Sequence, residues 1–214
     1  MKIKSLIAGF TRNNVNIHKV LTKYDGFFKI NEYQLSHALF QGGESHLLSR
    51  EIFERGDAVV LMPYDPKRDS LVFNEQFRPG ALRTTENPWL LEFVAGMFGE
   101  NESPQDVAIR EAKEEANLDI YINDIEPIME YLSSPGGTSE KIHLYVAKVD
   151  ARNVSGVFGL KTEGEDIRVS EIKRADALML LAEGKICNAA TIIGLQWLAL
   201  NSEALRAKWQ DNDN

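Results

Sequence analysis

The chain has 214 residues, 43% of them hydrophobic, which is enough for one sizeable domain or a domain with an appendage. Its formal charge of −8 sets 24 Lys and Arg against 32 Asp and Glu with no basic run, which argues against nucleic-acid binding. One cysteine, Cys187, excludes an internal disulfide and fits a reducing compartment.

Near the N-terminus SLIAGF is too short for a secretory core, and no stretch approaches the roughly 20 apolar residues of a membrane span. The expectation is a cytoplasmic protein without membrane contact. Over residues 16–55, KVLTKYDGFFKINEYQLSHALF and SHLLSREIFER read as strands joined by the turn-forming QGGES. A few polar strands bury too little to stand alone, so residues 1–55 are expected to be a β appendage resting on another surface. From residue 56 the pattern changes. DAVVLMPYD, SLVFNEQF and WLLEFVAG read as buried strands, followed by a capped helix, further strands and two C-terminal helices. The expected class is α+β, an α/β/α sandwich with a mixed sheet over residues 56–209, ending in a tail, 210–214, that frays.

The capped helix can be delimited residue by residue. Ser103 is a good N-cap, Pro104 suits the first helical position, and Asp106 sets negative charge at the positive end of the helix dipole. Val107, Ala108, Ala112 and Ala116 form an apolar stripe of mostly small residues. Glu111 and Glu115 stand one turn apart on a neighbouring face with Glu114 beside them, an arrangement that weakens a helix by like-charge repulsion. Such a face is either solvated or built to converge on a hard divalent cation. Asn117 falls where helices commonly end in the left-handed conformation.

The wider stretch GMFGENESPQDVAIREAKEEANL, read from Gly96, gives Gly, five residues, Glu102, seven residues, then Arg110-Glu111-Ala112-Lys113-Glu114-Glu115-Ala116-Asn117-Leu118. This resembles the signature of the Nudix hydrolases at every defined position but one, Asn117 standing where the family has glycine. Because Asn tolerates a left-handed backbone, the expected consequence is a small stability cost and an intact site. The resemblance implies a Nudix fold and hydrolysis of a nucleoside diphosphate linked to another moiety. It also implies Mg²⁺, or Mn²⁺, held by Glu111, Glu114, Glu115 and the carbonyl of Ala95, with Gly96 and a Glu102–Arg110 ion pair supporting the site.

The loop LKTEGEDIRV offers Glu163, Glu165 and Asp166 around Gly164, and on residues alone it is a mobile acidic lid or a solvated turn. The ADP-ribose pyrophosphatase branch of the family carries its proposed base on a similar loop, which favours Glu163 with Glu165 next; Glu114 is counted with the catalytic carboxylates as well. The segments REIFERGDAVVLMPYD, EQFRPGA, NPWLLEFVAGM, SSPGGTSEKIHLYVAKVD and GKICNAATIIGLQWL are similar to that branch, so the resemblance covers about residues 20–209. It implies cleavage of ADP-ribose to AMP and ribose 5-phosphate by a homodimer whose N-terminal strands are exchanged. By position, Arg50, Glu51, Arg78 and Glu140 match substrate contacts, and Phe27 or Phe28 would stack on adenine. The alternatives are a sister specificity such as GDP-mannose, or a non-catalytic ADP-ribose-binding regulator. His18, His37, His46 and His143 share no metal-ligand spacing. Cys187 is expected to pack beside the last helix, and Trp89, Trp197 and Trp209 to serve packing.

Overall fold

A computed structural model of the chain describes residues 9–211, so most of SLIAGF and the last three residues of the expected tail lie outside the described residues. The chain divides into two compact units, Met1–Gly56 with Ser134–Glu140, and Asp57–Ser133 with Lys141–Asn214. In the first, β1 (Val15–Asp25), β2 (Lys29–His37) and β3 (Leu48–Glu54) form an antiparallel sheet in that order. The 134–140 segment joins it through a Phe53–Thr138 bridge and a bond from Phe53 N–H to the Gly137 carbonyl at 2.8 Å. Ser36 is the one buried residue of 9–56, bonded to His18 and Glu44, so this sheet carries no apolar core of its own.

The second unit is built on an eight-stranded mixed sheet. Its strands are β4 (Ala58–Asp65), β5 (Ser70–Phe77), β6 (Trp89–Glu92), β7 (Val94–Met97), β8 (Ile125–Leu132), β9 (Lys141–Lys148), β10 (Gly156–Phe158) and β11 (Ile167–Lys173). They run in the order β10-β11-β5-β4-β9-β8, with β6 added to β5 and β7 to β4; β4 and β9 are parallel. Strand β4 is buried throughout because both its faces are covered. Val59 and Leu61 face α1 (Pro104–Ala116), while Val60, Met62 and Tyr64 face α2 (Arg174–Ala182) and α3 (Ala189–Asp211). The unit is therefore an α/β/α sandwich of the expected α+β class. Polar ties fix α3 at its end: Trp209 Nε1 donates to Glu126 at 2.6 Å, and Arg206 and Arg174 both pair with Asp69. Helix α3 continues through Gln210 to Asp211.

Cys187, expected to pack beside the last helix, is exposed in the link before α3. Trp89 is half exposed at the start of β6, where it tilts on Phe77 with ring centroids 5.3 Å apart.

Helix α1 begins as its sequence dictates. Ser103 Oγ accepts from Asp106 N–H at 3.2 Å and Asp106 Oδ2 accepts from Ser103 N–H at 3.1 Å, a reciprocal capping box. It ends at Asn117, left-handed with φ 50° and ψ 34°. Its apolar stripe, Val107, Ala108, Ala112 and Ala116, is fully buried, and the small side chains let the helix lie close to the sheet. Asn117→Ala should lower the melting temperature by a few degrees, since alanine lacks the short polar side chain whose local hydrogen bonding lets Asn tolerate the left-handed region. Asn117→Gly should not lower it, a comparison that scanning calorimetry makes directly.

Candidate active site on the acidic helix

Glu111 and Glu115 point from α1 onto β7. Gly96 makes room for the first: an added Cβ there would stand 1.8 Å from Glu111 Oε1. Glu115 is 2% exposed and its Oε2 accepts from Ala95 N–H at 3.0 Å and Asn74 Nδ2 at 2.9 Å. Arg110 braces the loop before the helix. Its Nε and Nη2 donate to the two oxygens of Glu102 at 2.8 and 2.9 Å, and Nη2 also reaches the Met97 carbonyl at 3.1 Å. Glu102 accepts from Gly99 N–H at 2.7 Å, and Arg110 with this amide holds its carboxyl down to about 2.

The acidic pair behaves in the opposite way. Desolvation by burial pushes Glu115 up to about 8 against the bond from Ala95, and pushes Glu111 up to about 7 against the pull of Arg110. Among the described residues no three His, Cys, Asp or Glu side chains stand arranged as a metal cage. Arg110 Nη1 instead draws Glu111 and Glu114, at 2.6 and 3.1 Å. The donor set nevertheless fits a hard divalent cation. It is all oxygen, it includes the buried carboxylate of Glu115 and the part-buried one of Glu111, which Arg110 offsets only in part, and it lies against a strand at a glycine cradle that a side chain would fill.

The acidic loop is tied to the same helix. Gly159 N–H donates to the Glu114 carbonyl at 3.2 Å, and Gly164 turns the chain at φ 73°. Glu165 Oε2 accepts from Leu160 N–H at 2.8 Å, and its charge acts on Glu111, Glu115 and Arg78. Glu163 is exposed, and its side chain has no partner among the described residues. Arg78 follows β5 and donates to Glu92 Oε2 from Nε at 2.9 Å.

The other residues expected at the substrate lie in the first unit. Phe28 packs edge-on against Phe27 and Phe53, at 4.7 and 5.1 Å, under Arg55, while Phe27 is 88% exposed. Glu140 is buried and pairs with Arg55 at 3.3 Å. Arg50 and Glu51 are exposed on β3, where Arg50 donates to the Ser49 carbonyl at 2.7 Å. Sequence reasoning missed Asn74, Glu92 and Asn188. The second carried a signal, being the one charged residue of the otherwise apolar β6.

A model of the NUDIX domain matches residues 54–202. The chain belongs to the Nudix family. Among curated relatives, this Nudix chain is 49% identical to an ADP-ribose pyrophosphatase of Escherichia coli (strain K12), over 98% of its own length and 99% of the relative's. It is 29% identical to a GDP-mannose pyrophosphatase of Pectobacterium atrosepticum, over 80% and 87% of the two chains. A solved structure of an ADP compounds hydrolase shares the fold, with a TM-score of 0.67 at 20% identity, covering 90% of this chain and 96% of that one.

The raised acids predict how metal-free protein responds to pH. An unfolded glutamate loses its proton near 4.5, whereas folded Glu115 keeps its proton up to about 8. Across that window the unfolded state binds fewer protons, so the contribution of Glu115 to stability in a chelator should be full below 4.5, fall as pH rises and level off above 8. Thermal unfolding at a series of pH values checks this, and Glu115→Gln should make the decline shallower.

Proposed function

We propose that this Nudix chain is an ADP-ribose pyrophosphatase that uses Mg²⁺, with Mn²⁺ as substitute, to yield AMP and ribose 5-phosphate. The observation that carries the reading is near full-length likeness to a relative named for that activity, joined to the acidic pair on α1, of which Glu115 is buried and Glu111 partly so. Glu111, Glu114, Glu115 and the Ala95 carbonyl would hold the cation, which when bound neutralises diphosphate charge and acidifies a neighbouring water. Glu102 and Arg110 keep the carboxylates in register by clamping loop to helix. Arg78 offers fixed positive charge to the diphosphate. A carboxylate on the 160–166 loop takes the proton of the attacking water as its oxygen bonds phosphorus and the bridging P–O bond breaks. Glu163 keeps both oxygens free for this role; Glu165 is nearer in charge but gives one oxygen to Leu160.

Residues 1–55 form the appendage to a catalytic domain over 56–209 in this reading, and supply Arg50, Glu51 and Phe28 or Phe27, with Glu140 joining from the 134–140 segment. That sheet leaves Ile17, Val20, Tyr24, Phe27 and Phe40 exposed, which supports a homodimer in which two copies exchange it. An exposed, unpaired Cys187 supports a reducing, cytoplasmic setting.

Kinetics on a nucleotide-sugar panel tests the substrate. ADP-ribose should exceed GDP-mannose in kcat/KM by at least about tenfold, equivalent to about 1.4 kcal/mol of transition-state discrimination. Parity or reversal discards the substrate, and binding without turnover favours a regulator. Glu111→Gln and Glu115→Gln should each cost several orders of magnitude in turnover with the fold kept.

The loop and the assembly have separate tests. Glu163→Gln should lower kcat with KM little changed and flatten the acid limb of the pH profile; that result from Glu165→Gln alone would move the role there. Light scattering at micromolar concentration should give a dimer, and a fully active monomer discards the shared site.

A further inference from the structure

One charged cluster beside the site is used by no step above. Glu92, at the end of β6, is 4% exposed and has both carboxylate oxygens engaged. Oε2 accepts from Arg78 Nε at 2.9 Å and lies 2.8 Å from Nη2. Oε1 accepts from Asn188 Nδ2 at 2.9 Å. Asn188 is fixed in turn, its Oδ1 accepting from the N–H and the hydroxyl of Thr191, both at 3.0 Å, at the start of α3. A buried carboxylate is costly unless its partners hold it, and here the partners form one chain from a helix terminus to a guanidinium. The guanidinium is planar, so fixing its Nε–Nη2 edge also fixes where Nη1 points. Arg78 Nη1 has no partner among the described residues. The Arg78 side chain is 41% exposed, and its charge lies within reach of Glu115 and Glu165.

We propose that Glu92 and Asn188 are positioning residues, which hold Arg78 so that its Nη1 face meets the substrate diphosphate before the substrate arrives. The inference rests on the pyrophosphatase reading. It adds that the start of α3, more than 90 residues beyond Glu92, sets the aim of a binding group just after β5. Its physical basis is preorganisation: an arginine already ordered loses less rotamer freedom on binding. The gain applies equally to substrate and transition state, so it appears in KM and not in kcat.

A double-mutant cycle tests it. Glu92→Gln should raise KM for ADP-ribose by about tenfold with kcat little changed, the scale of one lost charged hydrogen bond. Asn188→Ser keeps a good N-cap while removing the donor to Glu92, so it should raise KM less and leave the melting temperature near wild type. In an Arg78→Ala background neither change should raise KM further, because both act through the missing guanidinium. Penalties that persist undiminished there, or no penalty from either variant beside a damaging Arg78→Ala, overturn the positioning role. An unchanged KM in Arg78→Ala itself removes the Arg78 contact and the proposal with it, while turnover of ADP-ribose by the wild type keeps the activity reading. A readout free of turnover is the Nε–H resonance of Arg78 in ¹⁵N-arginine-labelled protein without nucleotide. It should be protected from exchange in the wild type and lose that protection in both variants; protection retained in both overturns the proposal even if no substrate is turned over.

Discussion

The second unit is organised around two carboxylates one helical turn apart, Glu115 shut away from water and Glu111 partly so. Each would shed its charge if left alone, and the surrounding structure reads as a set of answers to that tendency. Small residues let α1 approach the sheet closely enough to bury Glu115 and to draw Glu111 partly out of water. Ala95 and Asn74 give Glu115 its donors, and Arg110 gives Glu111 a partial counter-charge. Because the offset is incomplete, the helix needs firm ends. The capping box at Ser103 and the left-handed turn at Asn117 supply them, so that repulsion acts on a helix that cannot unwind from either terminus.

Much of this is legible in the chain because it is local. Capping depends on residues three apart, and the buried run of β4 declares itself as a continuous apolar segment. The same holds for Asn117, whose conformation follows from its place after the last turn. What the chain does not declare are contacts between distant segments. Arg110 is recognisable as the partner of Glu102, but its further bonds to Glu111, Glu114 and Met97 depend on how the loop meets the strand. Glu165 reads as one of several acids in a turn, and its bond to Leu160 exists only once Gly164 has reversed the chain. The exposure of Cys187 and Trp89 likewise depends on which neighbours fail to cover them, and no periodicity encodes that.

The two units illustrate different ways of being stable. In the second, both faces of the sheet are covered by helices and five strands, β4, β5, β7, β9 and β11, contribute buried apolar side chains. In the first, three long strands satisfy their backbone hydrogen bonds through regular antiparallel pairing, yet bury no apolar side chain below the surface. Hydrogen bonding alone contributes little net free energy in water, so such a sheet depends on what it is laid against. Aromatic packing of Phe28 with Phe27 and Phe53 is the nearest it comes to a core.

Gly96 carries a consequence of a genetic kind. Every single-base change in a glycine codon that alters the residue introduces a β-carbon, and here even the smallest would fall inside the Glu111 carboxylate. Strand β7 therefore has no stepping stone toward another residue while Glu111 keeps its place. A lineage can leave this position only if the Glu111 carboxylate swings off the strand, so a single missing methyl group ties the ancestry of the strand to that of the helix above it.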